Sequence, residues 1–381
     1  MKINWGSITP EQFLKEYWQK KPLFIKGAFT DFEDPIDANE LAGLAMEEHI
    51  ESRIIAQDSM SDWQVEHGPF EDFSQFGEDN WTLLVQATNH WSAETDKLIK
   101  PFEFIPRWRI DDVMVSFSTP NGGVGPHLDQ YDVFILQGEG RRRWQVGLPS
   151  NKYQEIIPHP DLKQISEFEP VIDVVTEQGD LLYIPPNHPH NGVSIENSLN
   201  FSIGFQAPNV QELLSSLADD YIDKNKGVKR FSDPDRILTE QPEVITGNDI
   251  DALQSFLMSE ISNKDIISEF FASYLTKTHH GLELLIPVEP LTDEQVIDVM
   301  SEPENNLVPV SGIKVAQLSD EQNSLFINGD KFQIETKTSE LARLLSQKQT
   351  LTNKTLKSFI DCLKNRQLLT SVLNKGYWYV E

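Results

Sequence analysis

Within GGVGPHLDQYDVFILQGEGRRRW, His127 and Asp129 stand two residues apart. In an extended chain, side chains at i and i+2 point to the same face, so this imidazole and carboxylate can share one metal ion. A third donor, His190, follows in GDLLYIPPNHPHNG. Two imidazoles and one carboxylate on one face of a metal leave its other positions open. That arrangement suits Fe(II) that must bind both a cosubstrate and O2. His188 is two residues from His190 and could share its face, although the following Pro189 holds it extended. His159, His279 and His280 lie in polar connectors and read as solvent-facing.

A cation accompanies these donors. If RRRWQVG is a strand, Arg142, Trp144 and Val146 share one face, while Arg141, Arg143 and Gln145 share the other. The apolar partners mark Arg142 as the inward residue. A guanidinium inside a barrel stays charged and needs an anion, and a carboxylate meets it bidentately. That carboxylate is either an internal Asp or Glu or a dicarboxylate cosubstrate. Ser116 and Ser118 alternate with Val115 and Phe117, and Asn200 and Ser202 with Leu199, Phe201 and Ile203; either face could be inward, so Ser116, Ser118, Asn200 and Ser202 are candidate cosubstrate contacts or ordinary surface polar residues. One parity conflicts. A hairpin turning at Gly138-Glu139-Gly140 sets Arg142 opposite Leu136, an even position, whereas His127 and Asp129 are odd; a bulge or break between Asp129 and Val133 is required.

The elements that must position these groups follow from the apolar patterning. Thr9, Pro10 and Gln12 form a capping box at the head of a helix carrying Phe13, Tyr17 and Trp18. Between Asp111 and Ala207 short apolar runs broken by turn residues predict a β-sandwich or barrel, and no βαβ alternation is present. Helical periodicity takes over after Pro208, in QELLSSLADDYI, DALQSFLMSEI and ISEFFASYL. Beyond Leu285 come strands around Leu307 to Val315 and the hairpin SLFINGDKFQI, with Asn328-Gly329 at its turn. Two short helices, SELARLLSQK and NKTLKSFIDCLKN, and a closing hairpin LLTSVLNKGYWYV give the order of a winged helix.

The chain has 381 residues and a net charge of −28, from 60 acidic and 32 basic side chains. Such a charge repels nucleic acid and anionic membranes. The single cysteine, Cys362, cannot form an internal disulfide. No apolar run is long enough for a signal peptide or a membrane span, and a cytoplasmic location is expected. Residues 331–381 depart from the average, with 9 basic against 4 acidic side chains.

The H-L-D motif, the QGEGRRRW run, YIPP, PHNG and SLNFSIGF together resemble the JmjC-type cupin oxygenases, and most closely the bacterial ribosomal oxygenases. The likeness extends over the whole chain. It implies a double-stranded β-helix (cupin jelly roll), mainly β with α, over residues 1–208 with an N-terminal helical elaboration. A helical dimerisation segment over 209–280 and a winged-helix domain over 281–381 would follow. It also implies Fe(II) held by His127, Asp129 and His190, and 2-oxoglutarate with its far carboxylate on Arg142 and with Ser116 and Asn200 nearby. O2 would then convert the cosubstrate to succinate and CO2 while a C–H bond is hydroxylated. The implied substrate is an arginine of a large-subunit ribosomal protein, oxidised at its β-carbon by a homodimer, and related eukaryotic enzymes act on histidine. His188 stands where the family leads one to expect an apolar residue.

Two rival readings remain at this level. A metal cupin acting on a small molecule, with zinc or manganese, would need no appended winged helix. A DNA-binding regulator with a sensory cupin would use NKTLKSFIDCLKN as its recognition helix, yet only Asn353 there suits base reading.

Overall fold

The capping signals at the chain start do what their chemistry dictates. In the computed structural model, which describes residues 1–57, 62–318 and 323–381, Thr9 and Gln12 close the reciprocal capping box of α1 (Pro10–Glu16). The helix buries Phe13 completely. The acid-rich stretch behind it supplies β1 (Leu23–Ile25), α2 (Ala38–Ala45), β2 (Ser52–Gln57), β3 (Trp63–His67), β4 (Trp81–Val85) and α3 (Ala93–Asp96).

The barrel strands come next: β5 (Ile110–Ser118), β6 (Val133–Gln137), β7 (Arg142–Gly147), β8 (Glu155–His159), β9 (Leu162–Ile165), β10 (Pro170–Thr176), β11 (Leu181–Ile184), β12 (His190–Ser194) and β13 (Ser198–Phe205). Eight strands form one sheet in the order β1-β11-β6-β13-β5-β4-β2-β3, and β10-β7-β12 form a second; β8 and β9 pair as a separate hairpin. Every pairing in the two large sheets is antiparallel. The apolar runs predict a sandwich or barrel, and the arrangement found is the double-stranded β-helix that the resemblance implies. One face of the large sheet packs on α1, α2 and the 97–105 segment through Phe13, Leu41, Phe102, Phe134 and Phe201. The other carries the polar row described below.

The expected β6–β7 hairpin does not exist. β6 pairs with β11 and β13, while β7 lies in the other sheet, with Arg142 opposite Thr176 and Ser194 rather than Leu136. The Gly138-Glu139-Gly140 segment therefore carries the chain from one sheet to the other, and the parity conflict disappears because the two strands share no register. Gly140 makes the crossing at φ +76, where an added Cβ would sit 2.0 Å from the Asn197 carbonyl. Only glycine fits there.

The chain divides into two compact units, Met1–Ala207 with Thr278–Lys314 and Gln349–Glu381, and Pro208–Lys277 with Val315–Lys348. The second unit holds α4 (Val210–Asp223), α5 (Gly247–Ile261) and α6 (Lys264–Thr276). The C-terminal third continues in chain order with α7 (Asp293–Ser301), β14 (Asn306–Pro309), β15 (Val315–Gln317), β16 (Ser324–Ile327), β17 (Asp330–Gln333), α8 (Ser339–Ser346), β18 (Leu351–Thr352), α9 (Asn353–Ile360), α10 (Leu363–Asn374) and β19 (Trp378–Val380). Asn328 and Gly329 both take positive φ in the turn between β16 and β17, as an Asn-Gly hairpin requires. In the second unit Lys331 of this hairpin pairs with Glu269 of α6 at 2.6 Å.

The closing segment differs from its expectation. LLTSVLNKGYWYV is not a hairpin: α10 runs through it to Asn374, burying Leu368, Leu369, Val372 and Leu373. Gly376 at φ +70 ends the helix, and β19 pairs with β14. Asn353, the one residue suited to base reading, is 5 % exposed and donates to the carbonyls of Met300 and Glu302. It ties α9 to α7 and is withdrawn from any DNA.

Candidate metal centre

β12 begins at His190, and the chain before β6 passes beside it. His127 donates its backbone N–H to the His190 carbonyl at 3.0 Å, and His190 returns the bond at 3.1 Å. This isolated bridge brings the two rings together, tilted by 60° with centroids 4.1 Å apart. Asp129 is fixed by the turn that leads into β12, its carbonyl accepting from the Asn187 N–H at 2.7 Å. Its Oδ2 lies 3.5 Å from His190 Nε2 and its Oδ1 3.9 Å from His127 Nε2. Ligand atoms of all three residues fall within 4.8 Å of one another, and they form the one such group of His, Cys, Asp and Glu among the described residues.

The tautomers follow from the partners. His127 Nδ1 faces the Gly125 carbonyl at 2.9 Å and His190 Nδ1 faces the His188 carbonyl at 3.0 Å. A carbonyl only accepts, so each Nδ1 carries the proton and each Nε2 turns a lone pair toward the Asp129 carboxylate. Two lone pairs against an anion repel unless a cation lies between them, so this donor set fits a divalent metal. Burial first, and then the neighbouring His190, push His127 down to about 4, which keeps its ring neutral. Burial would raise Asp129, but the adjoining His190 and His127 and the positive charge of Arg53 bring it down to about 2. Both protonation states are those a metal ligand needs. His190 is 3 % exposed and His127 and Asp129 about a fifth exposed, so the centre opens on the His127 and Asp129 side.

His188 does not join this group. It is 4 % exposed, its Nδ1 donates to the Pro186 carbonyl at 3.1 Å, and its buried Nε2 has no partner. Of the remaining histidines, His159 and His279 face Asp161 and Asp111. His280, expected in solvent, is only 24 % exposed and turns toward Glu51.

Arg142 points inward from β7, as its alternation predicts, and is 4 % exposed. Its guanidinium donates to the hydroxyls of Ser116 (3.2 Å), Ser118 (2.9 Å) and Ser198 (3.1 Å) and to the Ser198 carbonyl (3.4 Å). No carboxylate among the described residues pairs with it, and burial alone pulls it down to about 9. It stays protonated at neutral pH, a buried cation surrounded only by neutral groups. Such a cation awaits an anion from outside the chain. Among the described residues the internal-acid alternative is thereby removed.

Asn200 lies opposite Ser116 on one side and Gln137 on the other. Its Nδ2 donates to Gln137 Oε1 at 3.0 Å, while its buried Oδ1 has no partner. Gln137 also accepts from Thr176 at 2.6 Å. Sequence reasoning missed Ser198, Gln137 and Thr176, which reach the site through strand pairings far apart in the chain. Ser118 was legible, because it shares the parity of Ser116. Trp144 flanks His190 with ring centroids 6.3 Å apart, and its ring lies where Gly192 leaves room; a Cβ there would be 2.6 Å from the indole.

Comparison with known proteins agrees with this geometry. Residues 97–213 match the JmjC domain family and residues 259–379 the ROXA-like winged helix. The chain is 41 % identical to the ribosomal protein uL16 3-hydroxylase of Escherichia coli K12, covering 100 % of this chain and 98 % of that protein. A probable ribosomal oxygenase of Haemophilus influenzae is 34 % identical over 77 % of this chain and 75 % of its own. The structure of the E. coli ribosomal oxygenase YcfD with cobalt and 2-oxoglutarate superimposes with a TM-score of 0.90 at 37 % identity, covering 100 % of this chain and 99 % of that one. A JmjC fold, a His-Asp-His donor set and full-length similarity converge, and the chain belongs to the 2-oxoglutarate-dependent ribosomal oxygenases.

Proposed function

We propose that this enzyme hydroxylates the β-carbon of an arginine in ribosomal protein uL16. The observation that carries the reading is the buried, acid-free guanidinium of Arg142 in the same barrel as the His127, Asp129 and His190 donors. These three residues would hold Fe(II), which when bound supplies the O2 chemistry that couples oxidative decarboxylation of 2-oxoglutarate to C–H hydroxylation. The chain's own groups do the positioning. Arg142 receives the far carboxylate of 2-oxoglutarate, the hydroxyls of Ser116, Ser118 and Ser198 orient the guanidinium, and the free Oδ1 of Asn200 offers an acceptor beside them. The relative's name supplies the substrate, and the net charge of −28 favours a basic protein partner.

The boundaries that accompany this reading are a catalytic part at 1–208, a dimerising segment at 209–280 and a winged helix at 281–381. Exposed Leu214, Ile222, Leu253 and Leu257 on α4 and α5 are available for a second copy. No described helix is long and apolar enough to cross a membrane, and a ribosomal-protein substrate supports a cytoplasmic location. Incubation with Fe(II), 2-oxoglutarate and a uL16 peptide should add one oxygen to the arginine, read by mass spectrometry. The variant Asp129→Ala should abolish the gain; an intact gain would overturn the ligand assignment.

A further inference from the structure

The row of residues that carries Ser116 and Asn200 continues across the sheet in the other direction. Ser116 lies opposite Leu84 of β4, and Leu84 opposite Arg53 of β2. Directly opposed residues share a face, so Arg53 projects from the same side of the sheet as Ser116, two strands beyond it. Its neighbours there, Ile55, Leu84 and Met114, are apolar. Arg53 is half-buried, and no carboxylate or hydrogen-bond acceptor among the described residues holds it. Its charge is nevertheless felt at His127, Asp129 and Tyr131, which places it beside the open rim of the metal centre. Arg142 serves the deep end of the barrel; Arg53 presents a second fork of N–H donors, unused, at the rim.

What this cation meets follows from the site of oxidation, and here the argument rests on the substrate reading above. A β-carbon is one bond from Cα. To bring it to the metal, the substrate's main chain must itself descend to the rim, and its carbonyls leave water on the way. A side chain oxidised near its tip imposes no such approach. Carbonyls taken out of water need donors, and a cation repels the substrate's own guanidinium while attracting a carbonyl oxygen. We propose that Arg53 donates to a substrate main-chain carbonyl next to the target residue, fixing the backbone so that the β-carbon faces the metal.

The test uses full-length protein loaded with Mn(II) and saturated with 2-oxoglutarate, so that no turnover occurs, and a fluorescent uL16 peptide spanning the target arginine read by anisotropy. Arg53→Met should lose about 10- to 100-fold in peptide affinity, the range of a hydrogen bond to a charged donor. Arg53→Lys should recover part of the loss. The melting curve and the affinity for 2-oxoglutarate should stay as in the wild type. Because the contact is to main chain, a peptide with alanine at the target position should lose the same factor. Unchanged peptide binding by Arg53→Met, a loss of 2-oxoglutarate affinity instead, or a factor that vanishes with the alanine peptide would each overturn the clamp. A wild-type protein that neither binds nor hydroxylates the peptide ends the substrate reading and the clamp together. Wild-type turnover with undiminished binding by Arg53→Met ends the clamp alone.

Discussion

Arg142 shows how one side chain states a requirement that the rest of the chain leaves unmet. Three serine hydroxyls orient it and none neutralises it, so its charge is left for an anion from outside the chain, the dicarboxylate proposed above. In Arg142→Met the 2-oxoglutarate KM should rise about 100-fold or more, since truncating one partner of a buried charge pair costs about 2–5 kcal/mol. The melting temperature of the unliganded protein should hold or rise, because an uncompensated buried charge has been replaced by apolar volume. Titrating 2-oxoglutarate against its decarboxylation rate checks the first outcome and a thermal melt the second. At this scale much was legible: the i, i+2 spacing of His127 and Asp129 and the alternation of Arg142 with Trp144 and Val146 are local facts. Ser198 and Gln137 were not legible, because they meet Arg142 and Asn200 only once β13 has paired with β5 and β6.

Elements carry a different lesson. A glycine turn between two apolar runs reads as a hairpin, and Gly138-Glu139-Gly140 satisfies every local criterion for one. The structure uses the same residues to change sheets, because β6 is claimed on both edges by β11 and β13 and has no edge left for β7. That competition is long-range and invisible in the segment itself. The closing segment erred the opposite way: Leu368, Leu369, Val372 and Leu373 hold helical spacing, which outweighs the turn signal at Asn374-Lys375-Gly376 until Gly376 is reached. Gly140→Ala tests the crossing. A Cβ 2.0 Å from the Asn197 carbonyl, on a residue at φ +76, forces the two sheets apart locally. A loss of about 1–3 kcal/mol is expected. Urea denaturation checks this, and an unchanged midpoint would show that the crossing tolerates a side chain.

The whole molecule responds to pH through groups remote from the metal. His90 is 2 % exposed; its Nδ1 faces the Gly281 carbonyl at 2.8 Å, and Gly312 packs against its ring. Burial, the largest influence, pushes it down to about 4. An unfolded imidazole takes its proton near pH 6.5. Between these values the unfolded chain binds more protons than the folded one, so stability falls as pH falls through that window. The loss attributable to His90 reaches about 2 kcal/mol by pH 5. Urea unfolding of wild type and His90→Asn at pH 7 and pH 5 should show a smaller pH dependence in the variant; equal dependence would place the effect elsewhere.

The reciprocal backbone bonds between His127 and His190 bear on how the enzyme comes to life. Two of the three donors are stitched together by reciprocal backbone hydrogen bonds, so the receptacle is finished when folding is finished. Loading then requires no rearrangement of the chain. A stripped molecule is therefore expected to keep its fold and to take up metal again, so that activation would follow the supply of metal rather than the folding of the protein.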